Sequence, residues 1–379
     1  MAKSSPALNL HRKLNGKLEI KSKIKLSNRK NLSLMYTPGV AEAVMSIKKN
    51  PKQIFNLTIK NNTIAVITDG SAVLGLGNVG TEAALPVMEG KCAIFKEFAG
   101  INAFPICLKT QSVEEIVQCV KNISPVFAAI NLEDISAPRC FEIENKLQNL
   151  GIPVMHDDQH ATAIVVLAGL INAASVVKKD LKLCKTVITG VGAAGTAVAK
   201  LLAFYGLKNI ILVDSKGIIS GKRNDLDNYK KELLLISNRN NQSGNLIQAV
   251  KNADILIGVS QKGIFTQNII QNLNKNAIVF ALANPDPEIT ASNAKKWGVA
   301  VYANGRSDNT NQVNNALVFP GFFKGLIQKR ITKITNQMKM NAAISLASLI
   351  KKPTLQKFIL SIFDKRIVAT IVRSLTDKK

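Results

Sequence analysis

The chain has 379 residues, 46% hydrophobic and 20% charged, which fits two or three domains with sizeable cores and excludes wholesale disorder. Its formal net charge is +25. The lysines are spread along the whole chain, with little aromatic interleaving and no RNA-binding or zinc-finger signature. That distribution reads as compositional drift over an ordinary fold, with a field that helps draw in a small anionic substrate.

In chain order, residues 1 to about 30 read as an extended basic arm with apolar anchors at Leu8, Leu10, Leu18 and Ile20. There is no apolar signal core, and Glu19 with few arginines argues against a transit peptide, so a cytoplasmic protein is expected. A helix is expected after Pro38, to about Lys49. Tyr36 lies just before it, as a proton donor or a packed aromatic; the pattern alone favours packing.

From residue 64 strands and helices alternate. Strand 64–67 leads to Asp69, and a helix is expected from about Thr81 to Phe98. Strand 103–108 and a helix at 113–122 follow. Strand 126–132 ends at Glu133-Asp134. A helix at 140–150 precedes a short strand, 152–155, ending at Asp157-Asp158. Such alternation implies a largely parallel sheet, with ligands beyond the carboxyl ends of its strands. Asp69, Glu133, Asp134, Asp157 and Asp158 all fall there. Converging carboxylates suit a hard divalent cation such as Mg²⁺ or Mn²⁺. Any single acidic pair is more often a solvated turn or a helix cap; the shared position at strand ends is what favours the metal.

Lys91 interrupts the apolar stripe Ala84, Met88, Phe95, Phe98 of its predicted helix. Burial there would lower its pKa and make it a usable general base; the other reading is a lysine snorkelling at the edge of the face.

A predicted helix over 161–178 leads to a second alternating unit, with strands at 186–189, 210–214, 255–259, 278–283 and 300–303. The first strand runs into Gly190-Val191-Gly192-Ala193-Ala194-Gly195. Gly190 permits a tight turn, Gly192 close approach of a pyrophosphate, and Gly195 helix–strand packing. The helix N-terminus offers free N–H groups to phosphate. Asp214 closes the next strand, 24 residues after Gly190, near the expected place of a ribose-binding acid. NAD and NADP both stay open, since Lys216 or Lys222 could hold a 2′-phosphate. The stretch 237–245 reads as an exposed loop. After about residue 312 the chain is expected to be helical, broken at Pro320-Gly321, with 342–350 and 359–372 packing back on the first domain. The five cysteines form no CxxC pair and read as buried reduced thiols. His156 and His160 stand four apart, but the segment reads as a strand end and turn, which gives zinc little support.

The fold expected is therefore α/β: an N-terminal substrate and metal domain (1–160), a Rossmann-type dinucleotide domain (161–320) and a C-terminal helical segment (321–379).

The chain resembles the short bacterial type of malic enzyme over essentially its whole length. The likeness rests on YTPGVAEAV (36–44), TDGSAVLGLGNVG (68–80), PVMEGKCAIFKEFAG (86–100), INLEDISAP (130–138), HDDQHATAIVV (156–166), GVGAAG (190–195), ALANPDPE (281–288) and GRSDNTNQVNNALVFPG (305–321). The resemblance implies oxidative decarboxylation of L-malate to pyruvate and CO₂ with NAD or NADP and Mg²⁺ or Mn²⁺, by a homodimer. From the residues themselves, no run of about 18 consecutive apolar residues marks a membrane span, and the spread of the lysines speaks against a nucleic-acid partner. Lys91 would take the hydroxyl proton, and Tyr36 would protonate the enol carbon. Glu133, Asp134 and Asp158 would hold the metal, with Asp157 orienting the lysine or a ligand. Asn284 and Asn315 match substrate-binding positions, and Asn284 is also placed beside the cofactor. Two departures stand out. Ala72 occupies the place of a substrate arginine found in the larger enzymes, leaving the second carboxylate without an assigned partner. Ala161 replaces a usual glycine, which is benign if the backbone there is helical. The alternatives are a related 2-hydroxy-diacid dehydrogenase, or a basic nucleic-acid-binding protein on a retired dehydrogenase scaffold.

Overall fold

The computed structural model describes residues 5–73 and 75–375. Four strands, β1 (Thr63–Thr68), β2 (Asn102–Cys107), β3 (Ala129–Leu132) and β4 (Val154–His156), form a parallel sheet in the order β2-β1-β3-β4. β1 is buried at every position and apolar from Ile64 to Ile67, so both its faces are covered, as a parallel central strand requires.

The second sheet contains β5 (Thr186–Thr189), β6 (Ile210–Asp214), β7 (Gly217–Ile218), β8 (Ile255–Gly258), β9 (Ile278–Ala281) and β10 (Val301–Asn304). Its order is β10-β9-β8-β5-β6-β7, all parallel except the β6–β7 pair. β5 lies between β6 and β8, so the chain reverses its winding direction there. That reversal opens the crevice above β5 in which ligands bind.

The helix Asp157–Val176 joins the two sheets. It is long and apolar enough to cross a membrane, yet it is a core helix here, packed against helices Ala193–Tyr205 and Asn336–Ser348. One apolar cluster runs through both halves, from Met88 and Phe95 through Ile164 and Leu167 to Ile188 and Phe280. The C-terminal helix Phe319–Gln328 packs on the helix Thr81–Ala99, with the Phe95 ring 4.6 Å from Phe319 and 5.4 Å from Phe323. Helix Arg366–Ser374 lies against the glycine face of 319–328, where a Cβ on Gly321 would come within 3.1 Å of the Val368 backbone.

Several local expectations change. The N-terminal arm contains a helix, Pro6–Leu14, capped by Ser5 and opened by Pro6; it buries none of its residues. Pro320 does not break a helix but sits in the first turn of one, where its missing N–H leaves no bond unmade. The strand expected from Val126 starts at Ala129, after a short 3₁₀ turn over Ser124–Val126. Asp157 and Asp158 belong to a helical first turn, not to the strand before it. Within 237–245, Ser237 and Asn238 are buried, and the Asn238 amide donates to the Ile219 and Gln242 carbonyls. Ala161 is helical and fully buried, so its Cβ fills the core without backbone strain.

Candidate active site

The acidic end of the first sheet is built by strand register. Glu133 follows β3, and its backbone N–H donates to the Ile67 carbonyl (2.8 Å), which fixes it beside the end of β1. Asp157 and Asp158 open their helix, where the free N–H groups favour negative charge. Ligand oxygens of Glu133, Asp157 and Asp158 all lie within 4.8 Å of one another. Asp134 stands outside that trio; its backbone has φ 53° and its N–H donates to Asp158 Oδ2 (3.0 Å).

Lys91 reaches into this cluster from the helix Thr81–Ala99. Its Nζ lies 2.5 Å from Asp157 Oδ2 and 2.8 Å from Glu133 Oε1, and 4.2 Å from the centre of the Phe319 ring. Asn315 donates to the same Asp157 oxygen (2.6 Å), whereas Asp157 Oδ1 is buried with no hydrogen-bond partner. The expectation of a depressed lysine pKa is overturned for this arrangement. Burial alone would lower it, but the attraction of Asp157, Glu133 and Asp158 prevails and holds the ammonium well above its usual range. The periodic pattern revealed the burial of Lys91 but not its partners, 42 and 66 residues further along the chain. Glu133 and Asp157 are themselves pushed upward by burial, against the pull of Lys91.

Two buried carboxylates, Glu133 and Asp157, and the half-buried Asp158 face one lysine, and Asp157 Oδ1 has no donor. That donor set fits a hard divalent cation, which needs clustered oxygens and tolerates a partly filled protein shell. Glu133 and Asp158 could hold it, with Asp157 or Asp134 completing the protein's share.

Asp69 plays a different part. Its Oδ1 accepts from the Ser71 N–H (3.0 Å) and its Oδ2 from Arg139 (2.8 Å), while Ser71 Oγ accepts from the Ser136 N–H (2.9 Å). It therefore ties together the loops after β1 and β3. Tyr36 ends the helix Arg29–Met35 and is 66% exposed. Among the described residues, no hydrogen bond connects it to Lys91.

The glycine turn after β5 divides its labour as its spacing suggests. Gly190 has φ 92°, and a Cβ on Gly195 would fall 1.8 Å from the Gly190 carbonyl oxygen. A Cβ on Gly192 would meet nothing within 4 Å, so its surface faces open space, as a pyrophosphate cradle must. Ala193 and Ala194 begin the following helix. Asp214 closes β6 but is not a free carboxylate. Arg223 grips both its oxygens (2.7 and 3.1 Å), and Lys230 approaches one (2.9 Å). Burial would raise the Asp214 pKa, but these cations hold it below the usual range.

Asn284 lies on the loop after β9 and connects the two halves. A Cβ on Gly75, in the loop after β1, would lie 1.8 Å from the Asn284 carbonyl oxygen, so the loops touch. Glu288, fully buried, accepts from the Ser260 N–H (2.8 Å) and the Ala283 N–H (3.0 Å) and so clasps the loops after β8 and β9. Glu288, Arg223, Lys230 and Arg139 carry no signal in the sequence, because each acts through a partner that no local pattern identifies. His160, one of the two histidines weighed for zinc, faces Glu144 (2.9 Å).

Comparisons with known proteins agree across both halves. Residues 15–148 match the family model of the malic enzyme N-terminal domain, and residues 160–367 that of the malic enzyme NAD-binding domain. The chain is 47% identical over 378 residues to a bifunctional malic/malolactic enzyme of Bacillus subtilis, covering 99% of this chain and 92% of that protein. It is 48% identical to an NAD-dependent malic enzyme of Geobacillus stearothermophilus (96% and 77% covered) and 42% to an NADP-dependent malic enzyme of Halomonas elongata (96% and 86%). Among solved structures, an NAD-dependent malic enzyme from Thermotoga maritima superposes with a TM-score of 0.95 at 42% identity, covering 98% of this chain and 99% of that one.

Proposed function

The chain belongs to the malic enzyme family, and on that premise we propose that it oxidises L-malate and decarboxylates the product to pyruvate and CO₂, reducing NAD or NADP with a divalent cation bound. The observation that carries this reading is the convergence of Lys91, Glu133, Asp157, Asp158 and Asn315, with the loop after β1 touching Asn284 of the dinucleotide half.

When bound, the cation supplies Lewis-acid polarisation of the substrate oxygens and stabilises enolate charge, and the nicotinamide accepts the hydride. The protein's own groups do the rest. Glu133 and Asp158 hold the cation, with Asp134 as the third ligand of this reading. Lys91 Nζ takes the C2 hydroxyl proton as the neutral amine, so it must first give up the proton that Asp157, Glu133 and Asp158 hold on it, which a cation on Glu133 and Asp158 would favour by offsetting their charge. Asp157, receiving both Lys91 and Asn315 on one oxygen, keeps the amine aimed at the substrate. Asn284 and Asn315 donate to the substrate. Tyr36 protonates the enol carbon, which requires the assembled enzyme to bring its exposed hydroxyl to the lysine. Gly190, Gly192, Ala193, Ala194, Gly195 and Asp214 seat the dinucleotide.

The same reading includes a homodimer in the cytoplasm. Leu32, Leu34, Met35, Val44 and Met45 are 41–65% exposed around Tyr36, an apolar surface that a second copy would cover. The five cysteines are all free thiols, as a reducing compartment allows.

The test is reduced-nucleotide formation from L-malate with Mn²⁺ and with chelator. Activity requiring the metal, with pyruvate formed in step with reduced nucleotide, is expected. No nucleotide reduction with either coenzyme in folded, metal-loaded protein would refute the reading.

A further inference from the structure

A second set of ionisable groups, one buried and two half-buried, lies behind the acids, and the reaction does not use it. Glu144, on the helix Arg139–Leu147, is 8% exposed. Its Oε1 accepts the His156 backbone N–H (2.8 Å), and both its oxygens lie within 3.0 Å of His160 Nε2. On the other side of the ring, Lys339 Nζ stands 3.0 Å from His160 Nδ1. Lys339 comes from the C-terminal helix Asn336–Ser348.

An ammonium has only donors, so Nδ1 must accept from it; Nε2 must then carry the hydrogen and donate to Glu144. Donor and acceptor roles are fixed from Lys339 to Glu144. The carboxylate at the inner end binds residues 156 and 160, which bracket Asp157 and Asp158. Those two acids lie within 4.8 Å of Glu133, and mutual repulsion would spread them. Their helix turn is restrained from behind by Glu144.

We infer that Lys339, His160 and Glu144 form a positioning relay that holds the first turn of the helix Asp157–Val176 in the geometry the divalent cation needs, linking the C-terminal helical segment to the metal site. The inference rests on the metal reading above.

The relay has a testable signature in its hydrogen-bond logic. Glu144→Gln keeps the shape but turns an N–H₂ toward either the His156 N–H or His160 Nε2–H. The ring could escape by moving its hydrogen to Nδ1, except that Lys339 would then meet it donor to donor. Lys339→Met removes that obstacle. Lys339 also lines a polar cavity of about 170 Å³ with Lys200 and Tyr229, so changing it does not disturb a packed core.

Mn²⁺ affinity, measured by electron paramagnetic resonance titration without substrate, is the readout, with NADH binding as control. Glu144→Gln should weaken Mn²⁺ binding about tenfold or more, in the range seen for groups that orient metal ligands. Lys339→Met should weaken it about threefold. The double variant should recover to about the level of Lys339→Met alone, a non-additivity that plain loss of packing would not produce. NADH affinity should stay within about twofold in all three. Binding in Glu144→Gln within about twofold of the native protein, or a double-variant loss equal to the product of the single losses, would overturn the relay. If Glu144→Gln does not fold, an unchanged Mn²⁺ affinity in Lys339→Met overturns it alone. Native protein that binds no Mn²⁺ would instead refute the metal reading itself.

Discussion

Two glycines of the dinucleotide turn should respond to the same substitution in opposite ways. In Gly195→Ala the new Cβ would sit 1.8 Å from the Gly190 carbonyl oxygen, where ordinary contact begins at 3.4 Å. The helix or the turn must therefore retreat by 1.6 Å, the difference of those distances. Neither is free to do so: the turn is held by the Gly190 N–H bond to Val213 (2.9 Å), and the helix is buried at Val198, Leu201 and Leu202. Forced overpacking of this kind costs about 1–3 kcal/mol, so the melting temperature should fall by several degrees. In Gly192→Ala the Cβ meets no protein atom within 4 Å, and the melting temperature should not move. The methyl would occupy the space a pyrophosphate needs, so NADH affinity should fall by tenfold or more, about 1.4 kcal/mol. Differential scanning fluorimetry and NADH fluorescence titration measure the two effects. Native NADH affinity in Gly192→Ala would refute the placement of the coenzyme over this turn.

The remaining expectations concern charge. Lys91→Ala should lower kcat by about 10²–10⁴ while NADH affinity stays within about twofold, since a general base contributes on that order; turnover at the native rate would remove the lysine from the chemistry. Arg223→Ser releases one grip on Asp214, so the ratio of kcat/KM for NAD over NADP should rise about tenfold as the carboxylate becomes available to a ribose hydroxyl; an unchanged or falling ratio would show that Arg223 does not set the preference. Glu144 should give an acid-stability signature. Burial would raise its pKa, but His160, Lys339 and the His156 N–H together bring it down to about 2. A group depressed on folding stabilises the fold above its unfolded pKa near 4.5, and that stability is lost as pH falls toward 2. The native protein should therefore lose about 3 kcal/mol across that interval that Glu144→Gln does not; identical acid-unfolding profiles would contradict the assignment.

The alternation of apolar strands with amphipathic helices was legible because a parallel sheet buries both faces of its strands and leaves an unbroken signal, as in Ile64-Ala65-Val66-Ile67. The glycine turn was legible for a similar reason: close backbone approach admits few residue types. The helix Pro6–Leu14 was missed because none of its side chains is buried, so its apolar positions do not mark a core-facing stripe. The central helix starts four residues earlier than the sequence pattern suggests, since Asp157 and Asp158 look like turn residues by composition yet suit a helix N-terminus electrostatically. The protonation of Lys91 runs opposite to the sequence expectation because burial shows in periodicity, whereas the acids that oppose it arrive from the loop after β3 and the first turn of the helix Asp157–Val176. Arg223 on Asp214 and Glu288 on the loops after β8 and β9 were invisible for the same reason: their partners are set by the fold.

The central claim is that the acid–lysine cluster and the glycine turn act on one substrate molecule. L-Malate deuterated at C2, incubated with Mn²⁺ and oxidised coenzyme, tests it directly. The reduced nucleotide should carry the deuterium on its nicotinamide ring, with slower turnover than unlabelled malate and none in chelator. Reduced nucleotide free of deuterium, or labelled equally well after the metal is removed, would contradict the account.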